Sequence, residues 1–75
     1  MTIKDLILEY NVEVNDGCPF YVFKNGEYKG KGTYNGIYIV TDETSSIFCT
    51  NIEIIKYDYM PHGIGSIHGC FTIYI

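Results

Sequence analysis

The sequence predicts an α+β domain: a short N-terminal helix packed on a twisted antiparallel sheet of about five strands. Three observations carry that prediction. The apolar residues are mainly Ile, Tyr, Val and Phe, which suit a pleated, half-buried surface, while Ala is absent and Leu occurs only at Leu6 and Leu8. A helical apolar period is confined to the first ten residues. Two Asn-Gly dipeptides, Asn25-Gly26 and Asn35-Gly36, each lie between aromatic or β-branched runs, where a tight hairpin turn belongs. With 75 residues, 47% of them hydrophobic, the chain is read as one domain over residues 1–75. That is near the lower size limit for a single core, and too apolar for disorder.

The elements follow in order. Thr2 with Asp5 three positions on is a capping-box pattern, and Ile3, Leu6, Ile7 and Tyr10 recur at helical spacing, so a helix spans about residues 3–9. From Tyr10 the period becomes two: Tyr10, Val12 and Val14 alternate with polar residues, as in a strand with one wet face. Asp16-Gly17 and Pro19 break it. A three-stranded meander is expected next, over roughly 19–24, 27–34 and 37–41. The first turn places Lys24 opposite Glu27, Phe23 opposite Tyr28 and Val22 opposite Lys29. The second places Tyr34 opposite Ile37 and Thr33 opposite Tyr38. Gly30 and Gly32 mark a bulge or a close crossing in the middle strand. "TDETSS" is a polar connection, "NIEIIKYDY" a further strand, and "SIHGCFTIYI" the last, with Ile67, Phe71, Ile73 and Ile75 on one face and His68, Cys70, Thr72 and Tyr74 on the other.

The formal charge is −4, with five Lys and no Arg. A surface for nucleic-acid backbone needs clustered cations, and the nearest cluster, Lys24, Lys29 and Lys31, is interrupted by Glu27. Direct nucleic-acid binding is therefore not expected; a basic protein is the more compatible partner. Cys18, Cys49 and Cys70 are an odd number, and "MTIKDLILEY" lacks a cationic region before a long apolar core. Free thiols in a reducing cytoplasm are expected, with no membrane span.

The stretch "MPHGIGSIHGC", Met60 to Cys70, offers several readings. Its Pro and Gly residues sit between two strands, where a hairpin connection explains them. A metal reading would use His62, His68 and Cys70, with Cys18 or Cys49, a chemically suitable set for zinc but at no known chelating spacing. No metal or cofactor is expected. A phosphate loop requires a helix after the glycines, and here a strand follows. A catalytic reading would have His62 or His68 activate Cys70, Cys49 or Ser66, yet such a pair needs an orienting third group inside a cleft. Asp42 and Glu43 read as solvating a loop. A non-catalytic protein is expected.

Eight tyrosines exceed what so small a sheet can hide. Tyr offers large contact area with little rotamer entropy to lose, which suits a binding surface. The candidate partner-binding residues are Tyr21, Phe23, Tyr28, Tyr34, Tyr38, Tyr57, Tyr59 and His62. The other use of such rings is to stack on a base in a small pocket. The last strand carries no charged residue as far as Ile75, and an uncovered edge of that kind pairs with a copy of itself, so a homodimer is expected.

The capped "TIKDLILEY", the "NVEV" strand, the aromatic hairpin and the final "IHGCFTIYI" together resemble small accessory proteins of bacteriophages and mobile elements of low-GC Gram-positive bacteria. The resemblance implies a phage-encoded inhibitor of a host defence system, such as an anti-CRISPR, working in the host cytoplasm through an aromatic and acidic surface. Two other functions stand beside it: a protein that sequesters a nucleotide signal in a pocket at a dimer interface, and a structural or assembly protein.

Overall fold

The computed structural model describes residues 1–14, 18–42, 46–61 and 69–75. The helix α1 covers Ile3–Glu9. Thr2 caps it: the Thr2 Oγ1 accepts from the Asp5 amide at 3.2 Å, and the Asp5 carboxylate accepts from the Thr2 amide at 2.8 Å. Two amides that a helix start leaves unpaired are thereby satisfied. Ile3, Leu6 and Ile7 are the buried face of the helix.

The expected strand after Tyr10 does not form. Asn11 adopts φ 53°, a left-handed conformation that Asn tolerates, and the Val12 amide donates back to the Ile7 carbonyl at 3.0 Å. The chain is folded onto the helix end there. The alternation of Tyr10, Val12 and Val14 is real in the sequence, but its backbone is already bonded elsewhere.

The central hairpin joins β1, Pro19–Lys24, to β2, Glu27–Tyr34. Asn25 at φ 53° and Gly26 at φ 80° make the turn, and Lys24 pairs with Glu27 and Phe23 with Tyr28. Beyond that the register slips: Val22 faces Gly30 rather than Lys29, through a bulge at Val22/Phe23. Gly30 sits at φ 119°, where a side chain would be strained, so the expected irregularity falls at this glycine.

The strand β3 is Tyr38–Thr41. Its register is displaced by two residues from the expected one, with Tyr34 opposite Ile39 and Thr33 opposite Val40. The Asn35 side-chain oxygen accepts from the amides of Ile37 and Tyr38 at 3.0 and 2.8 Å, and the Asn35 amide donates to the Tyr38 carbonyl at 3.0 Å. Asn35 thus serves as the last paired residue, and Gly36-Ile37 becomes the turn. A slip of two leaves every side chain on the face it was predicted to take.

Three further strands complete the sheet: β4, Ile47–Cys49; β5, Lys56–Met60; and β6, Cys70–Tyr74. The "NIEIIKYDY" segment is a strand only from Lys56 onward. Its first part holds the N-terminus, with the Ile3 amide bonded to the Ile52 carbonyl and the Ile54 amide to the Met1 carbonyl. Residues 43–45 of the expected polar connection, and 62–68, on which the expected hairpin connection and the start of the last strand fall, lie outside the described residues.

The sheet has six strands in the order β4-β3-β2-β1-β6-β5. It is mixed rather than wholly antiparallel, because β1 and β6 run parallel. The last strand is interior: the Ile75 amide donates to the Phe23 carbonyl and its carbonyl accepts from the Asn25 amide. The edge on which a homodimer was expected is therefore occupied, and among the described residues the edges are β4 and β5.

Strand alternation sends Phe20, Val22, Ile39, Phe48, Phe71 and Ile73 to one side, where they meet Ile3, Leu6 and Ile7 of α1 in a single core. Gly32 allows a close approach there, since a Cβ would lie 2.5 Å from the Ile39 Cγ2.

Candidate functional site: the open face of the sheet

The same alternation that fills the core sends the remaining residues of each strand to the opposite face, and no described helix covers it. Register brings its residues into rows across the strands. In the first row Tyr28 on β2 pairs with Phe23 on β1, Phe23 with Tyr74 on β6, and Tyr74 with Lys56 on β5. The ring centroids of Phe23 and Tyr28 are 5.2 Å apart. Phe23 and Tyr74 stack at 5.1 Å with 23° between their planes, and the Lys56 Nζ lies 4.6 Å from the centre of the Tyr74 ring.

The second row runs from Lys31 through Tyr21 and Thr72 to Asp58, and the third from Ile47 through Val40 and Thr33 to Pro19. A depression of about 500 Å³ opens at the end of this face, lined by Tyr21, Asp58, Tyr59, Met60, Cys70 and Thr72. The surface thus presents ring faces and aliphatic groups, with hydroxyls and a few charges spaced between them. Such a surface offers contact area with scattered hydrogen-bonding groups.

Of the predicted binding residues, Tyr21, Phe23, Tyr28 and Tyr38 share this open face. Tyr34, Tyr57 and Tyr59 do not. Tyr34 packs against the core and donates its hydroxyl to the Gly36 carbonyl at 3.1 Å. The Tyr57 hydroxyl lies 3.4 Å from that of Tyr10, and the Tyr59 ring packs on Tyr10 at 4.6 Å and on Phe71 at 4.8 Å. These rings pack together at the helix end, with Tyr10 and Tyr59 still open to water. The Tyr10 phenol is pushed above its usual range by its hydrogen bond to Tyr57 and by partial desolvation. His62 lies outside the described residues.

Tyr74, Lys56 and Thr72 belong to the face but were not among the predicted residues. The alternation of "CFTIY" already set Tyr74 on the wet side of its strand. What the sequence lacked was the parallel pairing of β1 with β6, which places Tyr74 on Phe23.

An aromatic surface that is also acidic was expected; Asp16 and Glu43 lie outside the described residues. Lys31, Lys56 and Asp58 occupy the open face, whereas Asp5, Glu9, Glu13 and Glu53 lie on the helix and the segments beside it. Glu53 there pairs with the N-terminal ammonium at 3.1 Å. The cysteines are also dispersed. The Cys18 thiol is buried and donates to the Gly69 carbonyl at 3.1 Å. Cys49 is exposed on β4, and Cys70 is half-buried on β6. Four strand spacings, about 19 Å, separate β4 from β6, so Cys49 cannot share an ion with Cys70. No described helix is long and apolar enough to cross a membrane. No protein-family model matches the chain, and no curated protein or solved structure is significantly similar to it.

Proposed function

We propose that this is a non-catalytic binding protein that docks the open face of its sheet on another protein. The observation that carries the reading is the continuous row Tyr28, Phe23, Tyr74 and Lys56 across four adjacent strands, with no described element packed over it. Aromatic side chains held by a rigid sheet lose little entropy on docking, which is why rings of this kind anchor interfaces. The net charge of −4 attracts a basic partner to the molecule as a whole, while the open face itself supplies mainly apolar contact.

The outline resemblance to phage accessory proteins directs the first test to host defence. The partner class is then a component of an immune system, such as a basic, nucleic-acid-binding CRISPR effector. The chain is expressed in a host whose CRISPR system blocks a phage, and plaquing is measured. Restored plaquing by the wild type, lost in a Tyr21→Ser/Phe23→Ser variant of unchanged helix content and melting temperature, supports the reading. Full activity of that variant would remove the open face from the function, and failure of the wild type to relieve immunity would remove the CRISPR target.

A further inference from the structure

We infer that β5 is a self-complementary edge through which two copies of this chain join their sheets. β5 ends the strand order, and among the described residues nothing pairs with its outer side. It presents Lys56, Asp58, Tyr59 and Met60 exposed and Tyr57 half-buried, with Ile55, 77% exposed, immediately before it. A charged residue on an edge strand normally blocks pairing. The block is lifted when the incoming strand brings the opposite charge to the same position.

Two identical strands pair antiparallel about a two-fold axis normal to the sheet. Residues directly opposite then share a face, so the register must be centred on a residue. Centred on Asp58, the pairing sets two carboxylates against each other; centred on Lys56, two ammonium groups. Centred on Tyr57, it sets Lys56 opposite Asp58 of the second copy, Asp58 opposite Lys56, and Tyr57 opposite Tyr57. Ile55 then reaches the register position of Tyr59. Of the three centres, only Tyr57 pairs opposite charges twice and like charges nowhere. The two open faces become one continuous surface with Tyr74 and Phe23 on each side of the axis.

This interface shares Lys56 and Asp58 with the rim of the face proposed to dock a partner, but its test reads mass rather than binding or plaquing, so the two can fail independently. The full chain is examined by sedimentation equilibrium from micromolar to sub-millimolar concentration. The wild type is expected to dimerise, and Lys56→Asp or Asp58→Lys alone to weaken the dimer about tenfold or more, because each reversal creates two like-charge pairs. The Lys56→Asp/Asp58→Lys double variant should dimerise again, and mixing the two single variants should give the heterodimer. Melting temperatures establish that each variant is folded. A wild type that stays monomeric throughout, single variants that dimerise as well as the wild type, or a double variant that stays monomeric would each overturn the proposal.

Discussion

The two faces of this sheet use the same strands and almost the same kinds of residue, yet they do different work. On the helix side Phe20, Val22, Ile39, Phe71 and Ile73 are at most 1% exposed. Their immediate sequence neighbours Tyr21, Phe23, Val40, Thr72 and Tyr74 keep contact with water on the other side. The first set supplies most of the apolar burial that holds a small domain together. The second gains partial burial from contacts along its rows and stays half-open to water. Hydrophobicity alone does not distinguish the faces. Whether a helix lies over the residue does.

Substitutions test that division, and the largest effect belongs to the covered face. Phe71→Ala should destabilise the fold by about 3–5 kcal/mol, since the ring is buried against Phe20 and Tyr10 and its neighbours cannot collapse into the space. A 75-residue domain has roughly 4–11 kcal/mol in all, so denaturant titration should find this variant largely unfolded. Gly32→Ala should follow at about 1–3 kcal/mol, because the new methyl meets the fully buried Ile39 and lies 3.2 Å from the Val40 carbonyl oxygen. Thr2→Ala removes the helix cap and should cost about 1 kcal/mol by the same titration. On the open face, Tyr28→Ser should change stability by only about 0.5 kcal/mol while weakening the proposed docking. A loss there as large as that of Phe71→Ala would mean that the face is sealed in the folded protein.

The smallest effect is a pH dependence confined to the helix start. Hydrogen bonds from the Thr2 amide and hydroxyl hold the Asp5 carboxyl below its usual 3.8. The folded state therefore binds this proton more weakly than the unfolded state. The resulting stabilisation is complete above the usual value and is lost as pH falls through the lowered one. The difference in melting temperature between wild type and Asp5→Asn should accordingly be present at neutral pH and shrink in acid.

The capped helix and the first hairpin were legible because their causes are local. Thr2 and Asp5 satisfy each other within one turn, and Asn25-Gly26 accepts positive φ whatever surrounds it. The second hairpin was legible in kind but not in register, since Asn35 has two competing uses and its side chain took the ladder end. The strand expected at Tyr10 failed because periodicity records only which residues want burial, and the hydrogen bonds from that backbone went to the helix.

The sequence by itself determined the capped helix, the Asn25-Gly26 turn, and which residues alternate to each side of the sheet strands. Tertiary structure alone decided that β6 inserts between β1 and β5, converting a presumed edge into an interior strand and carrying Tyr74 onto Phe23. It also decided that Tyr57 and Tyr59 turn to the helix side, where Tyr57 packs on the core and Tyr59 stays exposed, while Tyr21 and Tyr28 turn to the open face. The physical reason is the range of the forces involved. Turn chemistry and capping act over a few residues, whereas the pairing of Phe20 with Phe71, far apart in the chain, depends on how the whole apolar surface is best removed from water.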